Sequence, residues 1–161
     1  MGLVQRRRPK VGDVIEIETP KGLAYAQYTY KHDRPPRYGA LLRVLPGLFQ
    51  RRPTDFSELV NQPEQFVVFF PLGAAVWRGI VTIVANEEIP GWARRLPFFR
   101  VRGGIDQSGR VLNWGLWDGE RDYRIEGELT PEQRNLPILE VITDVILINR
   151  IVEGWSPADD V

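Results

Sequence analysis

The chain has 161 residues, and its 21 basic and 21 acidic side chains cancel to a formal net charge of zero. That length suits a single domain over residues 1–161 with one closed core. The complete lack of cysteine excludes disulfides, thiolate zinc sites and thiol nucleophiles. A balanced charge argues against a general nucleic-acid binder, which needs a field of Lys and Arg along one face, and no stretch approaches the roughly 20 apolar residues that cross a bilayer. Arg6, Arg7 and Arg8 form a basic cluster with no apolar run behind them, so a signal peptide is not expected and the protein is expected to stay in the cytoplasm. The zero net charge hides an asymmetry: residues 1 to 60 hold eleven basic and six acidic side chains, whereas residues 117 to 161 hold four and eleven.

In chain order, residues 1–10 read as a flexible basic arm, and Val14 to Thr19 alternates β-branched residues with acids, the pattern of a half-buried strand. Pro20-Lys21-Gly22 turns the chain into a second strand, Leu23 to Tyr30, with Ala24, Ala26, Tyr28 and Tyr30 on one side and Leu23, Tyr25, Gln27 and Thr29 on the other. Lys31 to Tyr38 is a proline-containing loop. Ala40 to Leu45 returns as a short strand, giving an antiparallel meander. Thr54 is placed to cap a helix from Asp55 with Phe56, Leu59 and Val60 on one face. Continuously apolar Phe66 to Phe70 reads as a central strand. Leu72 to Arg78 fits either a helical turn or a strand entry, Ile80 to Ala85 a strand, and Glu87 to Pro97 a loop.

Phe98 to Arg102 and Arg110 to Trp117 read as a strand pair joined through Gly103-Gly104 and the turn at Asp106-Gln107-Ser108-Gly109, and Tyr123 to Glu128 as a short edge strand. Thr130-Pro131-Glu132-Gln133 has the layout of a capping box with proline at the first helical position. Thr143 caps a helix over Asp144 to Glu153 that puts Val145, Ile148 and Val152 together and stops at Gly154. Residues 156–161 read as a loose tail. The expected fold is mainly β (α+β): an antiparallel curved sheet or partly open small barrel with two or three short helices at its edges.

Chemistry-bearing residues are sparse. His32 is the only histidine; it lies beside a proline-containing loop, and no serine sits in a nucleophile-elbow pattern, so it reads as a solvent-exposed loop residue rather than a catalytic base. One histidine with carboxylates alone would make an unusual zinc site. No catalytic residue, metal site or cofactor is expected. Glu87-Glu88 and Asp118/Glu120/Asp122 are the clusters that could do acid–base work, each in a glycine- or proline-bounded loop where solvated turns are the rule. Trp114-Gly115-Leu116-Trp117-Asp118-Gly119-Glu120-Arg121-Asp122-Tyr123 sets large aromatics beside a run of acids. Trp117, Asp118, Glu120 and Asp122 are therefore candidates for an anchor-and-charge surface that meets a basic partner.

Four segments carry a resemblance: Lys10-Val11-Gly12-Asp13-Val14-Ile15-Glu16-Ile17, Tyr25-Ala26-Gln27-Tyr28, Pro97-Phe98-Phe99-Arg100 before a glycine turn, and the closing Arg150-Ile151-Val152-Glu153-Gly154-Trp155. In these the chain resembles the Immunity protein twenty-six family of bacterial polymorphic toxin systems. The resemblance implies a mostly β fold and a non-catalytic task, binding a cognate protein toxin and blocking it in the cytoplasm; neither nucleic acid nor membrane is expected as partner, from the balanced charge and the lack of a long apolar stretch. It assigns no individual contact residue and leaves the oligomeric state open. Two other readings stay open: a small-molecule or peptide-binding barrel with Tyr25, Tyr28, Tyr30 and Trp117 inside a cleft, and a carboxylate-dependent hydrolase.

Overall fold

The computed structural model describes residues 7 to 160; Met1 to Arg6, with part of the basic arm, and Val161 lie outside the described residues. Period-two alternation builds the first sheet. β1 (Asp13–Thr19) and β2 (Gly22–His32) pair antiparallel across the Pro20-Lys21 turn, and β3 (Gly39–Val44), β4 (Phe66–Phe70) and β5 (Val81–Asn86) complete an antiparallel sheet of order β4-β3-β2-β1-β5. A second antiparallel sheet, in the order given, comprises β6 (Phe99–Ile105), β7 (Val111–Trp117) and β8 (Asp122–Arg124). The mainly β, antiparallel architecture expected from the sequence is what forms, with three short α-helices among the described residues, and neither sheet closes into a barrel. Contacts divide the chain into two compact units. One runs up to Arg95 and takes in Val141–Trp155, and the other comprises Leu96–Glu140 with the residues from Ser156 on.

In the first unit both faces of the sheet are buried. Ile15, Ile17, Ala24, Ala26, Tyr28, Leu42 and Val44 contribute to one apolar cluster, which α1 (Leu72–Trp77) covers through Leu72, Ala75 and Val76 and α3 (Asp144–Glu153) through Leu147 and Ile151. The opposite face gathers Val14, Tyr25 and Leu45 with Phe56, Leu59 and Val60. The last three do not sit on the two-turn helix expected from Thr54. Only a 3-10 turn forms, Leu59–Asn61, and the apolar residues point at the sheet because the loop lies across it.

Phe66–Phe70 is an edge strand rather than a central one. It reads as central because its free edge is also covered: Phe69 bridges in parallel to Val141, and the Ile142 N–H donates to the Phe69 carbonyl at 3.1 Å. The His32 expectation is corrected too. β2 keeps its pairing with β3 as far as His32 and Gly39, so the imidazole is buried, with ring contacts to Tyr38 and Phe69 and with Nδ1 accepting from the Tyr38 N–H at 3.4 Å.

In the second unit, α2 (Pro131–Arg134) starts at a complete Thr130–Gln133 capping box. The tail, expected to be loose, carries a 3-10 turn over Pro157–Asp159, and Asp160 accepts an ion pair from Arg102.

The bounds of α3 match those read from the sequence. Thr143 Oγ1 accepts from the Ile146 N–H, and Gly154 adopts the left-handed conformation (φ 66°) that ends the helix. Its inward face is different. Six of its ten residues are apolar, so more than one arc of the helix could be buried, and Leu147 with Ile151 goes inward while Val145 is 61% exposed. Leu147→Ala should therefore lower stability by about 3 kcal/mol, the usual cost of emptying a packed leucine site. Val145→Ala should change it by no more than about 0.5 kcal/mol. Urea denaturation midpoints of the two variants check this, and the reverse ranking would contradict the observed packing of the helix.

Candidate functional site

The acidic turn between β7 and β8 is built by one side chain. Asp118 Oδ1 accepts from the N–H groups of Glu120 (2.9 Å) and Arg121 (2.8 Å), its Oδ2 accepts from the Tyr123 hydroxyl (3.0 Å), and its own N–H donates to the Arg121 carbonyl (3.2 Å). These bonds, led by the Arg121 N–H, hold the Asp118 carboxyl below its ordinary value, and the same contact raises the Tyr123 phenol. Gly119 has φ 109°, and a Cβ there would come within 2.7 Å of Leu96 Cδ2, so the turn requires glycine at that point.

The four residues singled out for this surface therefore divide. Glu120 and Asp122 display their carboxylates to solvent. Asp118 is committed to holding the turn. Trp117 is 6% exposed and packs on Phe99 with ring centroids 5.6 Å apart, so it belongs to the interior. The aromatic that stands with the exposed acids is Tyr123, 45% exposed on β8. Sequence reading passed over it because tryptophan is the stronger anchor residue, yet the change of strand at Asp118 was the available signal: Tyr123 pairs with Leu116 in the ladder, not with Trp117. Adjoining the turn in the chain, residues 124 to 129 line a polar cleft of about 730 Å³ with Arg110, Asn113, Trp114 and Arg134.

The three tyrosines proposed for a cleft are not brought together. Tyr25 is fully buried, its hydroxyl donating to Glu16 Oε2 at 2.8 Å. Burial, followed by the Glu16 carboxylate, keeps that phenol protonated far above its ordinary range. Tyr28 belongs to the cluster on the other face of the sheet. A bulge at Thr29 then shifts the register, so that Tyr28 pairs with Leu42 and Tyr30 with Leu41, adjacent residues of β3 that point to opposite faces.

Of the carboxylates that could do acid–base work, Asp118 holds its turn and Glu88 pairs with Arg94 at 2.8 Å on the surface. Two buried carboxylates fasten β1 instead. Asp13 receives a bidentate bond from Arg7 (2.6 and 2.8 Å), the Lys10 N–H (2.8 Å) and the Asn86 amide (3.0 Å). Glu16 receives the Arg52 guanidinium through both oxygens (2.7 and 2.9 Å) besides the Tyr25 hydroxyl. Among the described residues, no group of three or more His, Asp and Glu side chains is placed to hold a metal ion, and no helix is long and apolar enough to cross a membrane. Compared with family models, curated proteins and solved structures, the chain finds no match.

Both β1 carboxyls are held below their ordinary values of 3.8 and 4.5. For Asp13, burial pushes upward but is outweighed by Arg7, Asn86 and the Lys10 N–H; for Glu16 the Arg52 bond leads. A depressed folded-state pKa contributes stability that is fully present above the unfolded value and is lost as pH falls through the folded one. Stability should accordingly be flat above about pH 5 and decline as pH drops below the ordinary values of 4.5 and 3.8. Glu16→Gln should reduce that decline. Thermal melts of the two proteins from pH 3 to 7 check this, and parallel profiles would remove Glu16 from the account.

Proposed function

We propose that this chain is a non-catalytic binding protein that works by occluding a partner. Following its resemblance to the Immunity protein twenty-six family, the partner is a cognate bacterial toxin met in the cytoplasm. The observation that carries the reading is the turn after β7. Residues 118 to 128 contain five carboxylates and two guanidiniums, and the exposed Glu120 and Asp122 stand beside a half-exposed Tyr123 on a turn that Asp118 has already ordered. Ordering a loop before contact removes part of the entropy cost of association. An acidic surface speeds encounter with a basic one, such as the substrate groove of a nuclease, and disfavours acidic partners. Tyr123 adds apolar area with a polar tip, the kind of side chain that anchors interfaces.

Binding to the product of the adjacent gene, followed by stopped-flow mixing at increasing salt, tests this. The on-rate should fall steeply with ionic strength. The double charge reversal Glu120→Lys with Asp122→Lys should slow association roughly tenfold at low salt while changing the off-rate less. Should the neighbour's product not associate at all, or associate at a rate indifferent to salt and to both substitutions, the reading fails.

A further inference from the structure

The first unit holds a cavity of about 540 Å³ whose chemistry differs from that of the acidic turn. Its floor is apolar: Tyr28, Phe70 and Leu72 are each less than a tenth exposed and come from β2, β4 and the start of α1. Its rim carries three cations, Arg8, Lys31 and Arg37, all exposed and none with a side-chain hydrogen bond or ion pair among the described residues. No acidic side chain among the described residues lines it. Two carboxylates outside the lining act electrostatically on the Tyr28 hydroxyl: Asp13, which Arg7 neutralises, and the exposed Asp33.

We infer that this cavity is a docking site for an acidic peptide segment of a protein partner, with an apolar side chain seated on Tyr28, Phe70 and Leu72 and flanking carboxylates met by Arg8, Lys31 and Arg37. The volume lies in the range of sites that enclose a ligand group, about 300–1,000 Å³. Three unpaired cations over an apolar floor fit carboxylates flanking an apolar residue, since guanidinium and ammonium groups take carboxylate oxygens as charge-assisted acceptors. Val141 lines the cavity at 50% exposure, and beyond Asp144 the first turn of α3 exposes Val145 (61%) and Ile146 (42%). A ligand that reached from the cavity to these residues would be longer than a single small molecule. Nucleic acid is disfavoured because three cations on a chain of zero net charge do not make the continuous basic track that phosphates require.

A random hexapeptide array probed with the labelled full chain tests the site. The wild-type protein should enrich peptides in which Asp or Glu flanks an aliphatic or aromatic residue, and binding to the best of them should fall about tenfold or more in the Lys31→Glu, Arg37→Glu double variant. Both positions are exposed, so an unchanged circular dichroism spectrum and melting temperature will show that the fold is kept. The variant reversed at Glu120 and Asp122 should bind the same peptides undiminished, which keeps this site distinguishable from the acidic turn. Three results would overturn the inference: equal binding of peptides with Asn and Gln in place of the acids, enrichment that survives the double variant, or capture of single-stranded oligonucleotide with no peptide preference.

Discussion

A sheet covered on both faces gives the polar side chains at its centre no access to water, and the first unit depends on how one of them is held. Arg43 lies in β3, 1% exposed, on the face that also carries Tyr25 and Leu45. One of its terminal nitrogens donates to Gln27 Oε1 (2.9 Å) and the Val60 carbonyl (2.7 Å), and the other to the Gln62 carbonyl (2.6 Å). Glu64 is 3.9 Å away, so main-chain oxygens rather than a carboxylate hold most of the charge. Burial lowers the pKa of the guanidinium, but arginine starts high enough to stay protonated. The consequence is structural. The loop that brings Phe56, Leu59 and Val60 onto the sheet is tied down at Val60 and Gln62, so a buried cation and the apolar cluster around it each require the other. Removing such a group strands the buried Gln27 and Val60 acceptors, which is why its loss costs more than the bonds themselves contribute.

The second unit repeats the device. Arg100, fully buried in β6, donates to the carbonyls of Leu136, Arg134, Pro157 and Asp160, and its guanidinium lies 4.3 Å from the Trp114 ring centroid. Four carbonyls from two separated stretches of chain meet on one planar fork, a geometry that a lysine's single ammonium could not reproduce. The same interaction explains why the segment after Trp155 is held in place: its carbonyls accept from Arg100, and Arg102 adds ion pairs to Glu140 and Asp160.

What the sequence reveals follows from which forces act locally. Strand alternation in β1 and β2, the Thr130 capping box and both ends of α3 depend on neighbours within four residues, and all were readable. What depends on distant segments was not. The burial of His32 requires Gly39 on the next strand, the edge position of β4 is masked by Val141 and Ile142, and the face of α3 is decided by a sheet far away in sequence. Tyr25 and Tyr28 alternate to opposite faces of their strand, which is why they do not share one cleft. Arg43 and Arg100 gave no signal at all, because an arginine in a strand reads as an outward-facing residue until a loop is known to cross it.

Satisfaction of buried charge also separates the side chains committed to the fold from those left exposed. Every buried ionic group described above is surrounded by partners that its removal would leave unsatisfied, so none is at liberty to meet a ligand. The charges that stand exposed are Glu120 and Asp122 on a turn whose shape Asp118 maintains, and Arg8, Lys31 and Arg37 around an apolar cavity. They are of opposite sign and lie in different units. A formal net charge of zero is therefore compatible with two surfaces of opposite sign, because selectivity depends on how charge is distributed among exposed groups and not on its sum.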